Sequence, residues 1–170
     1  GKKAPDVIIG TLHDDPKAEE EIAEYCNIAR VLHDLKTARI GHIGHPIEAM
    51  LDMHSDSTML TAHFGLHIVQ CEANEIVSNY ETAERTAIEI EKERILSFFD
   101  TPDPVSDPIS EKLKPEDLEV AARVSVALEK FVEDKKLTGL AYYYEGEENS
   151  ETRKVMTNLI VGNSLLTGAG

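Results

Sequence analysis

The sequence predicts an α/β fold: a three-layer open parallel sheet with helices on both faces. Three observations predict it. Short β-type runs alternate with helical periodicities at the lengths of βαβ units. Helix-start signals stand where those periodicities begin. Polar loops follow the strands, at the place where such sheets hold ligands. With 170 residues, the chain suits one compact domain, or one domain and a piece of a neighbour.

Val7-Ile8-Ile9-Gly10 is the first β-type run. Asp15-Pro16 then supplies an N-cap followed by proline at the first helical position. Ala18, Ile22, Tyr25, Ala29 and Leu32 recur at helical spacing, which predicts an amphipathic helix to about His33. Ala38-Arg39-Ile40-Gly41-His42-Ile43-Gly44 reads as a strand delivering into a loop over residues 44–54. Asp56 caps a short helix through Leu60, closed by Gly65. His67-Ile68-Val69-Gln70-Cys71 is the next strand. A helical stretch follows from Ala73 to about Ser97, broken near Asn79, with Glu81 and Arg85 as a favourable i,i+4 pair.

Residues 100–114 carry Pro102, Pro104 and Pro108 among aspartates and serines, so they can be neither core helix nor central strand. They read as an exposed excursion. Pro115 opens a strong helix, with Glu116 and Asp117 in the first turn where the dipole favours anions. Its buried face is Leu118, Ala121, Ala122, Ser125, Leu128, Phe131 and Val132. Leu140-Ala141-Tyr142-Tyr143-Tyr144 is the third strand, followed by a loop at residues 145–149. The last helix starts near Glu151 and buries Val155, Met156, Leu159, Ile160 and Leu166. Together these make a sheet of Rossmann or flavodoxin type.

The formal net charge is −15, from 32 acidic and 17 basic residues. Such a surface repels phosphate backbones and anionic lipid, which argues against nucleic-acid and membrane partners. No apolar run approaches the ~20 residues needed to cross a bilayer. The start, Gly1-Lys2-Lys3-Ala4-Pro5, has no apolar stretch behind its lysines, so it is not a secretory signal. Neither end reads as a natural terminus, and the chain is expected to be a part of a larger protein. Cys26 and Cys71 stand in no metal-like spacing and read as buried free thiols in a reducing cytoplasm.

Five of the seven histidines lie between His42 and His67. Gly65 interrupts any helix joining His63 to His67, and His42 and His45 straddle a strand end. Ordinary hydrogen-bonded histidines are therefore favoured over metal ligands. Glu48 and Asp52 share a loop and could hold a cation or work as acid and base. In a chain this acidic, a solvated loop is the stronger reading. Asn163 falls on an otherwise apolar stripe, so it either bonds a backbone group internally or faces a pocket or partner. Gly41-x-x-Gly44 lacks the third glycine of a dinucleotide site, and no phosphate loop is present. No Gly-x-Ser-x-Gly elbow appears, and neither cysteine has the company of a nucleophile.

Several stretches together resemble the L-arabinose isomerase family in its broad sense. They are residues 7–16, residues 31–40, Arg39-Ile40-Gly41-His42-Ile43-Gly44-His45-Pro46-Ile47-Glu48-Ala49-Met50, Thr61-Ala62-His63-Phe64-Gly65-Leu66-His67-Ile68, and Asn158-Leu159-Ile160-Val161-Gly162-Asn163-Ser164-Leu165-Leu166-Thr167 joined to Leu140-Ala141-Tyr142-Tyr143-Tyr144. The resemblance covers nearly the whole chain. It implies a cytoplasmic, homo-oligomeric aldose–ketose isomerase that uses a divalent cation, usually Mn2+, held by glutamates and histidines. The metal polarises the substrate oxygens while an acid/base pair moves a proton through an enediol.

The family's metal-binding residues have no counterpart here. The implied organisation is therefore residues 1–36 as a closing strand and connecting helix of a preceding domain, and residues 37–170 as the central α/β domain. Ile47 matches a family position whose apolar side chain lines the sugar pocket. His45, Glu48 and Met50 share its loop and join it as candidate sugar contacts. No catalytic or metal residue is assigned within the chain. The alternatives are a stand-alone sugar-binding or regulatory module, and a small metalloenzyme built on the histidines from His42 to His67 with Glu48 and Asp52.

Overall fold

The computed structural model describes residues 6–11, 13–47, 49–100, 114–143 and 147–169. The chain divides into two compact units. One holds the residues up to Ala38 together with Asp56–His67; the other holds Arg39–Ser55 and everything from Ile68 onward.

The first unit contains α1 (Pro16–Thr37) and α2 (Ser57–Phe64). Both start as their sequences predict. The Asp15 carboxylate accepts from the Ala18 and Thr11 N–H groups, and Asp56 accepts from Thr58 and Met59. These bonds satisfy helix-end donors and hold both carboxyls below the usual carboxylate range. Gly65 adopts φ +80° and closes α2.

Two expectations need correction in this unit. The β-type run at 7–10 joins no sheet among the described residues. It passes α1 instead, so closely that a Cβ on Gly10 would stand 2.5 Å from Ala18 Cβ. The amphipathic stripe of α1 forms, but of its members only Ala18 is buried; Ile22, Tyr25 and Leu32 are about half exposed. The eight residues of α2 are too few to cover a helix of 22.

The second unit contains β1 (Arg39–Gly44), α3 (Ala73–Thr82), α4 (Arg85–Phe98), α5 (Pro115–Lys135), β3 (Gly139–Tyr143), α6 (Glu151–Thr157) and α7 (Leu159–Ala169), with β2 (His67–Cys71) completing the sheet. The strand order is β2-β1-β3, and β1 runs parallel to β3 with Ile40 opposite Gly139 and Gly44 opposite Tyr143. Strand residues alternate faces. Ile43, Val69, Cys71, Leu140 and Tyr142 therefore share one face. They pack there against Ile76 and Tyr80 of α3, Leu128 and Phe131 of α5, and Val155, Met156 and Leu159 of α6 and α7. Ile40, His42, Gln70, Ala141 and Tyr143 fall on the other face.

α5 is the hub, packing against α3, α4 and α7. Pro115 and Asp117 start it as expected; the Asp117 carboxylate accepts from the Lys114 N–H at 3.0 Å. Gly162 lets α7 approach so closely that a Cβ there would stand 2.9 Å from the Ser125 Cα. Asn79 Nδ2 donates to the Ala127 carbonyl, tying α3 to α5.

Boundaries moved in two places. The break in the second helical stretch falls at Ala83-Glu84, not near Asn79. That break separates Glu81 from Arg85, which pairs with Glu89 at 3.3 Å instead. The last helical stretch divides at Asn158, whose side-chain amide donates to the Lys154 carbonyl. Cys71 is a buried free thiol as expected, whereas Cys26 is exposed. The proline-rich segment expected to be an excursion lies, over 101–113, outside the described residues. Among the described residues no helix is long and apolar enough to cross a membrane.

Candidate functional site

The strand order places the site. The chain leaves β1 toward β2 on one side, then returns past β1 to β3 on the other. The carboxyl ends of β1 and β3 are thus where the connections diverge, and open α/β sheets bind ligands in the crevice at such a point. Gly44, His45, Pro46 and Ile47 leave β1 there, beside Tyr143 at the end of β3.

Gly44 makes the junction possible. Its φ is +82°, a conformation that side chains rarely adopt, and a Cβ would stand 2.0 Å from the Tyr143 carbonyl oxygen. One residue later the His45 ring meets the Tyr143 ring edge-on, with centroids 5.6 Å apart. Its Nδ1 lies 3.0 Å from the Pro46 carbonyl; with Nδ1 donating, Nε2 is the acceptor nitrogen. Ile47 is half-buried beside it, and its carbonyl accepts from the Met50 N–H at 3.1 Å. A 3₁₀ turn over Leu51–Met53 continues the loop.

Of the expected sugar contacts, the structure brings His45 and Ile47 to the strand ends. Met50 stands on the same loop, about half exposed, next to the more exposed Leu51 (81%) and Met53 (59%). Glu48 lies outside the described residues. Asp52 is exposed in the 3₁₀ turn. The Met50, Leu51 and Met53 side chains give the loop an exposed apolar surface, of a kind that suits a partner's surface or a bound molecule better than water.

Two residues escaped the sequence reading. Tyr143 pairs with His45 only through the parallel register of strands about a hundred positions apart, which no local pattern reveals. Gln70 lies beside His42 on the open face, with His42 Nδ1 3.1 Å from Gln70 Oε1. A signal for that pair existed: parallel α/β strands usually read as near-continuous apolar runs, and both strands interrupt theirs at one polar position.

The electrostatics favour a neutral ligand. No lysine or arginine occurs between Arg39 and Arg85, so β1, its loop and β2 offer no cation to a phosphate or carboxylate. Arg39 itself is committed, its Nε donating to the Lys135 carbonyl at 3.1 Å. Burial pushes the Cys71 thiol up, which keeps it protonated and poorly nucleophilic.

Three histidines each engage Nδ1 locally. His42 faces Gln70, His45 faces Pro46, and His63 Nδ1 lies 3.0 Å from the Met59 carbonyl. Among the described residues no three His, Cys, Asp or Glu side chains converge. What converges here can bind and orient: a tyrosine ring, an imidazole with one acceptor nitrogen, an aliphatic side chain, and a hydrogen-bonded His–Gln pair behind them.

A concavity lies elsewhere. A groove of about 670 Å³ runs along the open side of β3 at its amino end, between Val132, Leu137, Leu140 and Leu166. Asn163 is among the residues that line it. Its lining is mainly aliphatic, and it sits at the wrong end of the strands for the crevice rule. No protein-family model matches the chain and no curated protein is similar to it at a significant level.

Proposed function

We propose that this chain is the central domain of a metal-dependent aldose–ketose sugar isomerase of the L-arabinose isomerase type. It forms one wall of the sugar pocket and part of an oligomer interface, and it lacks the main catalytic residues. The observation that carries the proposal is the junction of β1 and β3, where Ile47 and the His45–Tyr143 ring pair stand at the switch point of a parallel sheet. Three further features support it. The loop sequence resembles the family's at the pocket-lining position now held by Ile47. Residues 40–84 carry no lysine or arginine for an anionic substrate, and the exposed Met50, Leu51 and Met53 offer an apolar surface for a neighbouring subunit.

The same proposal includes the finer architecture, a three-layer sheet of Rossmann or flavodoxin type, and a cytoplasmic homo-oligomer. The Mn2+ ligands would come from outside this chain. The chain's own part is to bind and position. Ile47 gives an apolar contact to the carbon face of the sugar, His45 Nε2 accepts from a hydroxyl, and the Tyr143 ring backs the imidazole.

The test is ketose formation from a panel of neutral aldoses with Mn2+ present, comparing this chain with a longer reading frame that contains it. Turnover is expected only in the longer protein, with Ile47→Ala raising KM more than it lowers kcat. Turnover by the 170-residue chain alone would overturn the proposal. Sugar binding without turnover in the longer protein would replace it with a non-catalytic sugar-binding module.

A further inference from the structure

We infer that the outer edge of β3 is a self-association surface, where two copies of this chain pair β3 antiparallel and join their sheets into one. The inference deepens the homo-oligomer part of the reading above by naming an interface. β3 is the last strand in the order β2-β1-β3, so among the described residues nothing pairs with its outer edge. Such an edge presents unpaired backbone N–H and C=O groups, and proteins that leave one bare guard it with charge or proline. Residues 137–144 contain neither a charged residue nor a proline. The groove of about 670 Å³ runs beside that edge, between Val132, Leu137, Leu140 and Leu166.

Charge selects the occupant and its direction. A chain of net charge −15 repels its own copies except where carboxylates are absent. The β3 and α7 walls of the groove come from residues 137–144 and 155–170, which carry none. Charge returns just beyond the strand, with opposite sign at its two ends: Lys136 before it, Glu147 and Glu148 after it. All three are exposed, and none has an ion-pair partner among the described residues. A two-fold axis normal to the sheet at Ala141, the middle of β3, runs the two strands antiparallel. It sets Lys136 of each copy toward Glu147 and Glu148 of the other, whereas a parallel pairing would bring like charges together. The same axis places Leu140 opposite Tyr142 of the other copy on the helical face, an aliphatic–aromatic cross-strand pair. At the axis itself the two Ala141 residues meet; each is exposed and too small to block the approach.

Sedimentation velocity of the chain, from micromolar to submillimolar concentration, reads the association directly. A dimer is expected. Ala141→Glu should return it to monomer by setting like charges face to face at the axis, and Ala141→Thr should keep it; circular dichroism checks that both variants fold. Lys136→Glu, and separately the double variant Glu147→Lys with Glu148→Lys, should each weaken the dimer about tenfold, since surface charge contacts reverse twice per interface. Mixed together, those two proteins should pair again. A monomer throughout, a dimer that Ala141→Glu leaves intact, or no recovery on mixing would overturn the inference. So would a longer protein that is monomeric yet protects the β3 amides from hydrogen exchange, because a further strand of the same chain would then hold the edge. Aldose turnover by such a monomer leaves the isomerase reading standing. A dimer sensitive to Ala141→Glu, with no turnover in the longer protein, sinks that reading and leaves this one.

Discussion

At the scale of single residues, Gly44 bears most on the site. It ends β1 in the left-handed region and passes the Tyr143 carbonyl where no Cβ fits. Gly44→Ala should cost roughly 1–3 kcal/mol from the dihedral alone, with the clash adding to it, and should part His45 from Tyr143. A lower urea midpoint, together with a changed ring environment for Tyr143 by NMR, is the expected result. Glu91 makes a different prediction. It is buried in α4 (5% exposed), and burial raises its carboxyl above the ordinary range against the opposing pull of Arg94. Through the window between the ordinary and the raised value, the folded chain holds a proton that the unfolded chain has released. Stability should therefore fall as pH climbs through that window and level off above it. Glu91→Gln should remove that fall and raise the midpoint at neutral pH; thermal melts of both proteins from acid to neutral pH check it. Arg94 keeps Glu129 at 3.5 Å in that variant.

At the scale of elements, the contrast is between α5 and α1. α5 buries Ala122, Val124, Ser125, Ala127, Leu128 and Phe131; truncating Phe131 to Ala should cost about 3–5 kcal/mol. Adding a methyl at Gly162 should push α7 off α5 at a cost of about 1–3 kcal/mol. α1 is as long but buries only Ala18, and in proteins most helical stability comes from the packing of an apolar face. Amide hydrogen exchange should thus release α1 well before the interior of α5.

Helix ends were legible because they are local chemistry: Asp15-Pro16, Asp56 and Pro115 at starts and Gly65 at a close each act within one turn. The break at Ala83-Glu84 was not, since neither residue disfavours helix and the interruption comes from how α3 and α4 pack on α5. The stripe of α1 was legible as a period, but a period does not say what covers it. His45 and Ile47 could be placed from the loop that follows β1. Tyr143 and Gln70 could not, because their neighbours come from strand register rather than from spacing.

At the scale of the whole molecule, the carboxyl ends of β1 and β3 and the exposed apolar loop after β1 suit a domain that presents a surface. The acidic balance and the long cation-free stretch from β1 through β2 turn that surface toward neutral ligands. The groove along β3 is the competing place for a small molecule. Backbone 1H–15N spectra of the chain, titrated with L-arabinose and a panel of neutral aldoses, separate the two most directly. The account predicts shifts at Gly44, His45, Ile47 and Tyr143, with Asn163 and Leu166 unmoved. Shifts centred on Asn163, Thr138 and Leu166, or none at the strand ends with any aldose, would contradict it.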